Sequence, residues 1–226
     1  MQSPLVDIYR DDLREVLGRG GKTYRAMSLA LDKYGEGVLD APDEKVKVWS
    51  DLHIGHANII RYCHRPFRSA EEMDAALWTN WQLGVEQGET LVCVGDIWFG
   101  GASVPRPVPK GHQKILVLGN HDLTKGGNVR VTEFDQVKAV LTSLGDPPLV
   151  FTHLPLPNVP PGIVNVHGHT HEKIASPESP HINVSVEQLE YRPIVLSRLR
   201  KLARAILAGI APDGDTTLKR VQQIEQ

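Results

Sequence analysis

The stretch HGHTH, from His167 to His171, places three of the chain's ten histidines within five residues. It follows the apolar run Ile163 to Val166, which has the length and composition of a buried strand. Imidazole is a common ligand of transition metals, so two or three of them beyond a strand end could hold an ion. An HxH pair also occurs on solvated loops, and its interpretation therefore depends on what the rest of the chain supplies.

Four other β-type runs also end in metal-capable residues. The runs KVKVWS, LVCV, KILVL and LVFT each lead into a polar loop. The residues that follow the five runs are, in chain order, Asp51 and His53; Asp96; Asn120, His121 and Asp122; His153; and His169 and His171. In α/β sheets the loops beyond the carboxyl ends of strands form the crevice in which ligands bind. We therefore expect these residues to converge.

The donor set indicates which ions could bind. Carboxylate oxygens, imidazole nitrogens and one amide oxygen suit Mn, Fe, Zn, Ni or Co, with Mn favoured, and they contain too much nitrogen for a calcium site. The donors suffice for two ions. A carboxylate can bridge two ions, and a pair about 3.5 to 4 Å apart can clamp both the attacking and the leaving oxygen of a phosphoryl transfer.

The ordered set DLH, GD, GNHD, a later single histidine and GHTH closely resembles the signature of the calcineurin-like metallophosphoesterases. A narrower likeness, through SDLHIGHANIIRYCHRPF and NVSVEQLEYRPIVL, is to small bacterial and bacteriophage-encoded phosphodiesterases of that superfamily. The likeness covers about Val46 to Leu196. It implies an α/β fold in which two mixed β-sheets pack face to face, flanked by helices, with a dinuclear metal site at one rim.

The resemblance also implies the role of each site residue. Asp96 would bridge the two ions. The other ligands would be Asp51, His53 and His171 for one ion, and Asn120, His153 and His169 for the second. His121 would contact the scissile phosphate, with Asp122 as its orienting partner. His167 lies outside the family's pair, and the sequence leaves open whether it supports the ligands or is exposed.

These roles predict hydrolysis of phosphodiesters. Two divalent cations lower the pKa of a bridging water, and the resulting hydroxide attacks phosphorus while a protonated His121 helps to neutralise the developing charge. Substrates such as 2',3'- or 3',5'-cyclic nucleoside monophosphates fit this chemistry. Phosphomonoesterase or nuclease activity at the same site is an alternative, and so is a non-catalytic scaffold that keeps the fold.

Residues near the first ligand turn are candidates for substrate contact. We predict this role for His56, Asn58 and Arg65, although a surface salt bridge is an equal alternative for the arginine. The stretch GDIWFGG puts apolar Trp98 and Phe99 where many family members have an acid or a histidine. Packing is the favoured role for these two rings, and stacking on a substrate ring is the alternative. The missing GDxVDRG pattern disfavours a protein phosphatase.

The elements around these loops suggest three segments. Residues 1–44 are expected to form an N-terminal helical extension, 45–197 the metallophosphoesterase domain and 198–226 a C-terminal helical extension. Helical periodicity predicts helices at about 5–17, 23–34 and 70–85, with Met73, Leu77 and Trp81 of the third on one face. The segment 137–152 predicts a hairpin, and the basic amphipathic helix after Ser197 is expected to pack on the body. A DNA-binding role for the first two helices is opposed by the acidic residues of the first.

Composition limits the partners and the compartment. The formal net charge of -2 argues against bulk attraction to nucleic acid, so stable nucleic-acid binding is not expected. Only Cys63 and Cys93 occur, and no export signal or membrane-spanning run is evident. We therefore expect a cytoplasmic protein that meets a small phosphodiester or nucleotide and no membrane. The sequence is compatible with a homo-oligomer.

Overall fold

The computed structural model describes residues 4–18, 21–99, 113–131 and 133–226. The helices are α1 (Pro4–Leu17), α2 (Lys22–Tyr34), α3 (Ala57–Tyr62), α4 (Ala70–Gly84), α5 (Leu196–Leu207) and α6 (Thr217–Ile224). The strands are β1 (Glu36–Val38), β2 (Val46–Trp49), β3 (Thr90–Cys93), β4 (Gln113–Val117), β5 (Gln136–Lys138), β6 (Val140–Ser143), β7 (Leu149–Thr152), β8 (Val164–His167), β9 (His181–Asn183) and β10 (Ile194–Val195).

The strands form two five-stranded mixed sheets. One has the order β1-β6-β7-β8-β9, with β6 and β7 antiparallel, and the other has the order β10-β2-β3-β4-β5, with only the β10–β2 pair antiparallel. Every residue of β3, β6, β7 and β8 is buried, as expected for strands that are covered on both faces. The expected α/β class with two mixed sheets and flanking helices is confirmed.

Strand register determines which loops meet. In one sheet Trp49 pairs with Cys93 and Cys93 with Leu116, so three parallel strands end side by side. In the other sheet Thr152 pairs with His167, next to the end of β9. A parallel bridge between Ser50 and Ser185, with Val186 N donating to Ser50 O at 3.0 Å, joins the two sets of strand ends.

One hydrophobic cluster contains residues of both sheets and of the helices packed against them. Helix α4 starts at Ser69, whose Oγ accepts a hydrogen bond from Glu72 N and caps the first turn. Its buried face is formed by Met73, Leu77 and Trp81, as predicted. The Trp81 ring meets Trp49 edge to face, with 5.6 Å between centroids, and so fixes α4 against β2.

The N-terminal segment is not wholly helical. Helices α1 and α2 form as expected, but residues 36–38 form strand β1, which pairs in parallel with β6 about a hundred residues later. A three-residue strand carries no periodic signal, so only the distant pairing defines it. Helix α1 also contacts the loop after β7, because Asp12 accepts hydrogen bonds from the backbone and side-chain amides of Asn158.

The predicted C-terminal helix is α5, which packs on the body through Leu199, Leu202 and Ile206. No helix in the described ranges has both the length and the apolar character needed to cross a bilayer.

A buried arginine joins α5 to the sheets. Arg200 is only 4% exposed, and its guanidinium pairs with the Asp43 carboxylate and donates to Pro147 O and Ser143 Oγ. Each of its three nitrogens therefore donates to an acceptor outside α5.

We expect Arg200→Ala to lower the free energy of unfolding by roughly 3 kcal/mol, because it leaves buried acceptors without their cation. Urea denaturation of the metal-free protein would measure the change. Lys201→Ala, at the exposed neighbouring position, serves as the control and should shift the transition little. Equal effects of the two substitutions would contradict this role of Arg200.

Candidate metal centre

The strand ends bring the predicted ligands into two groups. Asp51, His53 and His171 have ligand atoms within 4.8 Å of one another, and so do Asp96, His153 and His169. The resemblance assigned the first three to one ion, His153 and His169 to the other, and Asp96 to both. Asn120, its remaining predicted ligand, has a buried Oδ1 without a hydrogen-bond partner among the described residues. The structure therefore contains clusters of aspartate and histidine that could bind metal.

The two oxygens of the Asp51 carboxylate have different partners. Oδ2 accepts hydrogen bonds from His169 N and Ser185 Oγ, each at 2.9 Å. Oδ1 lies 3.8 Å from His53 Nε2 and 3.9 Å from His171 Nε2. One oxygen thus anchors the loops, and the other faces two imidazole nitrogens at distances that leave room for an ion between them.

Asp96 is arranged in the same way and lies between the two groups. Its Oδ1 accepts a hydrogen bond from His121 N at 2.8 Å. Its Oδ2 lies 3.2 Å from His153 Nε2 and 3.7 Å from His53 Nε2, and these two histidines belong to different groups. This position fits the predicted bridging role.

Backbone and side-chain acceptors orient two of the imidazoles. His153 Nδ1 lies 2.8 Å from Val94 O, and His171 Nδ1 lies 3.1 Å from Glu187 Oε1. Both partners only accept hydrogen bonds, so each Nδ1 carries a proton and each Nε2 is directed towards the carboxylates. This is the usual orientation of a histidine that binds a metal through Nε2.

Several buried polar atoms in the cluster have no aligned hydrogen-bond partner among the described residues. They are Asp51 Oδ1, both ring nitrogens of His53, Asn120 Oδ1 and His153 Nε2. Buried polar atoms are nearly always satisfied, and an absent ion is one standard explanation when they are not. The unsatisfied atoms are of the types that divalent transition metals prefer, so the donor set fits such ions.

The ligand loops adopt an unusual backbone conformation. Five candidate ligands lie in the left-handed region with φ between 50° and 67°, namely Asp51, His53, Asp96, His169 and His171. Residues other than glycine are uncommon there, and each such position costs about 1 to 3 kcal/mol unless its surroundings hold it. Hydrogen bonds of 3.0 Å between loops do so, from Asp51 N to Gly95 O and from His53 N to Asp96 O.

Two glycines of the motifs are required by close approach. A Cβ on Gly119 would lie 2.2 Å from Asp96 Oδ1, and one on Gly168 would lie 2.2 Å from Asp51 Oδ2 and 2.1 Å from Ser50 Oγ. The glycines of GNHD and HGHTH therefore let neighbouring loops contact the carboxylates.

The charges of the cluster are strongly coupled. Burial opposes ionisation of Asp96, yet the charge and hydrogen bonding of His153 lower its pKa. Burial likewise opposes protonation of His153, but Asp96 raises its pKa to about 9. For His171 burial is outweighed by hydrogen bonds with Cys63 and Glu187, and the pKa rises to about 11. In the absence of cations, protons on these imidazoles thus balance the two carboxylates.

His121 lies at the open side of the cluster. Its side chain is 41% exposed, while those of His53 and His153 are at most 3% exposed, and its Nε2 lies 4.0 Å from Asp96 Oδ2. Burial of the ring and the charge of His53 lower its pKa below the usual 6.5. This shift favours the neutral ring in the metal-free chain, and the protonated His121 of the catalytic hypothesis stays a prediction.

Asp122 does not have the role that the sequence assigned to it. Its carboxylate accepts hydrogen bonds from three backbone amides, those of Asp96 at 2.9 Å, Ile97 at 3.2 Å and Gly119 at 2.8 Å. Burial and the nearby charge of Asp96 raise its pKa to about 7. The residue therefore ties the loop after β3 to the loop after β4, and we correct its assignment from orienting partner of His121 to loop anchor.

The three predicted substrate contacts lie in different surroundings. His56 lies beside the cluster, 5.5 Å from His53 between ring centroids, and stacks on Phe99 at 3.5 Å. Asn58 is exposed in the first turn of α3, and its role stays a prediction. Arg65 is buried beneath the site, where its guanidinium donates to backbone carbonyls. It is therefore not the substrate contact that the sequence predicted, because its guanidinium is fully buried and paired with Glu187.

His167 is buried, which decides between the two alternatives for this residue. It is 2% exposed, and its Nδ1 lies 2.8 Å from Gly168 O. It belongs to neither ligand group and supports the HGHTH turn from inside.

Two contributors to the site were missed in the sequence. Ser185 donates to Asp51, and Glu187 contacts both His171 and Arg65. Ser185 lies within the β run INVSV, two residues after β9 ends, and could have been suspected from its position beyond a strand end. Glu187 lies in a short 3-10 helix, Val186–Gln188, which has no local signal of function.

Comparisons with known proteins support the fold and leave the activity open. No protein-family model matches the chain. It is 33% identical over 168 residues to the uncharacterized protein MJ1445 of Methanocaldococcus jannaschii, in an alignment that covers 70% of this chain and 90% of the relative. A crystal structure of AQ665, a protein of unknown function from Aquifex aeolicus, matches with a TM-score of 0.52 and 21% identity, over 70% of this chain and 98% of the other. At that identity the structural likeness concerns the fold alone.

We expect metal uptake near pH 7 to release about two protons per chain, because His153 and His171 must lose a proton before Nε2 can bind an ion. For the same reason the apparent affinity should rise from pH 7 towards pH 9, where His153 deprotonates without help. Calorimetric titrations in buffers of different ionisation enthalpy would measure the release. The variant His171→Gln should release one proton fewer, and metal binding without proton release would contradict the predicted charge state.

Proposed function

We propose that this chain, which belongs to the same family as the uncharacterized protein MJ1445 of Methanocaldococcus jannaschii, is a metal-dependent phosphodiesterase. Its substrates are small phosphodiesters, with cyclic nucleoside monophosphates as the favoured class. Its cofactors are two divalent cations, Mn first, with Fe, Zn, Ni or Co as alternatives. The cytoplasm is the proposed compartment.

One observation carries the proposal. Asp96 Oδ2 lies 3.7 Å from His53 of one donor group and 3.2 Å from His153 of the other. Among the described residues, Asp51 Oδ1, the His53 ring nitrogens and His153 Nε2 are buried without hydrogen-bond partners. Such an arrangement is unfavourable unless cations occupy it. A pair of adjacent cation sites that share a carboxylate is the arrangement used for in-line displacement at phosphorus. The resemblance of the motifs to metallophosphoesterases points to the same chemistry.

Each part of the site would have a distinct task. Asp51, His53 and His171 would hold one ion, Asn120, His153 and His169 the other, and Asp96 both. When bound, the cations would act as Lewis acids that stabilise negative charge on phosphoryl oxygens and activate water as a nucleophile. The buried donors below and the half-exposed His121 above would leave one open side, from which a phosphodiester could approach.

His121 would act on the substrate directly. Of the three histidines paired with Asp96 Oδ2, namely His53, His121 and His153, it has the most exposed side chain. Its backbone N–H donates a hydrogen bond to Asp96 Oδ1. As a neutral imidazole it would donate one N–H to a phosphoryl or leaving-group oxygen, which stabilises charge that develops in the transition state. The neighbouring His56, with its pKa lowered to about 4 by burial and by His53, would contribute a neutral polar wall.

The alternatives share the site and differ in substrate. A phosphomonoesterase or a nuclease would use the same ligands, and the preference for diesters rests on the resemblance. A non-catalytic scaffold would not need to retain unpaired donors in both groups, so the buried unsatisfied atoms favour an enzyme.

We expect the chain to hydrolyse a chromogenic phosphodiester in the presence of Mn²⁺ and to lose at least about a hundredfold in rate with Asp96→Asn, which weakens both ion sites at once. The matched control is Asp40→Asn at an exposed position, which should keep the wild-type rate. Faster hydrolysis of the corresponding monoester, assayed in parallel, would indicate a phosphomonoesterase. Absence of turnover with every metal tested would favour the scaffold.

We also expect His121→Gln to reduce kcat by about a hundredfold to a thousandfold, as happens when a donor to the transition state is lost. Because His121 lies outside the two ligand groups, the metal content measured by elemental analysis should not change. His64→Gln, at an exposed histidine, is the control. A variant that keeps the wild-type kcat would exclude His121 from the reaction.

A further inference from the structure

We propose that the buried ion pair between Arg65 and Glu187 positions the first ligand group, formed by Asp51, His53 and His171. In this role Glu187 fixes the tautomer in which His171 binds an ion, and Arg65 holds the turn that carries Asp51. The inference rests on the proposed metal centre and assigns to it two supporting residues that its ligand motifs do not include.

Arg65 holds the first ligand turn by its backbone. The side chain is fully buried, and its guanidinium donates to Asp51 O at 2.7 Å and to Leu52 O at 2.9 Å. Asp51 has φ of 59°, a strained conformation that persists only when its surroundings determine it. Two charge-assisted hydrogen bonds to consecutive carbonyls provide that restraint.

Glu187 connects this turn to the third ligand of the group. Its Oε1 accepts from Arg65 Nε at 2.8 Å and lies 3.1 Å from His171 Nδ1. Because an ionised carboxylate only accepts hydrogen bonds, His171 must carry its proton on Nδ1, and Nε2 is then free to face Asp51 Oδ1. One carboxylate oxygen thus couples the loop after β2 to the loop after β8.

A second interpretation of the same residues is a third metal site. Cys63, His171 and Glu187 have ligand atoms within 4.8 Å of one another, and Glu187 Oε2 is buried without a hydrogen-bond partner among the described residues. The positive charge of Arg65, 2.7 Å from Glu187 Oε1, opposes a cation there. A site of this kind would also take His171 away from Asp51, so the geometry favours positioning over ligation.

The test compares metal binding by four forms of the full chain: wild type, Glu187→Gln, Glu187→Ala and the control Glu190→Gln. Glutamine keeps the size of Glu187 and can still accept a hydrogen bond. Glu190 is the control position because it is exposed and lies three residues along the chain. Mn²⁺ is titrated calorimetrically into metal-free protein, and circular dichroism confirms that each variant is folded. We expect Glu187→Ala to weaken one of two binding events about tenfold to a hundredfold, as the loss of such supporting groups does. Glu187→Gln should have a smaller effect, and Glu190→Gln none.

A second measurement reports the tautomer itself. Long-range ¹H–¹⁵N spectra of the protein loaded with diamagnetic Zn²⁺ near pH 7 should show His171 as the Nδ1–H form in wild type and a mixture of forms in Glu187→Ala. A residue that only stabilised the fold would not change this ratio. The outcome that overturns the proposal is a Glu187→Ala variant that binds two ions with wild-type affinity, or one that loses both equally or loses a third. A folded wild-type chain that takes up no ion would remove the proposed function as well, so the two failures are distinguishable.

Discussion

The structure depends on the burial of two carboxylates whose charges the protein only half satisfies. Moving a charge into a protein interior costs several kcal/mol, even after relaxation. Asp51 and Asp96 each have one oxygen held by hydrogen bonds from neighbouring loops, while the other faces imidazole nitrogens. In the absence of cations, protons on His153 and His171 offset the remaining charge. If the proposed ions bind here, cations and protons would compete for the same donor atoms, and the affinity of the site for metal would depend on pH.

The backbone around these carboxylates is under restraint. Candidate ligands with backbone in the left-handed region would adopt a more favourable φ if their loops were unrestrained. Contacts from neighbouring elements must therefore restrain each turn. The parallel register of β2, β3 and β4 aligns three of the turns, and the bridge between Ser50 and Ser185 brings the second sheet to the same place. Paired strands below the strained turns hold the donor atoms of the proposed metal centre in place without an ion. This is how a scaffold preorganises a site.

Buried polar groups that lie behind the candidate ligands hydrogen-bond the loops to one another. Asp122 ties the loop after β3 to the loop after β4 through three backbone amides. Arg65 and Glu187 do the same for the first ligand turn and the HGHTH loop. Farther from the site, Arg200 fastens α5 to the body. None of these residues faces the open side where His121 lies, so their contribution to function is through the placement of other groups.

The sequence determined the chemistry of the site and most of the regular elements. Residue types show which donor atoms are present, and a strand followed by a polar turn shows where in the chain they lie. The candidate ligands identified from this local pattern are Asp51, His53, Asp96, His153, His169 and His171. Helix α4 and its buried face were predicted for the same reason, because hydrophobic periodicity is local. Only the tertiary structure decided the roles of Arg65, Asp122 and Glu187, and the existence of β1. Each of these depends on a partner far along the chain, and an arginine or a glutamate has the same local pattern whether it faces solvent, substrate or another buried charge.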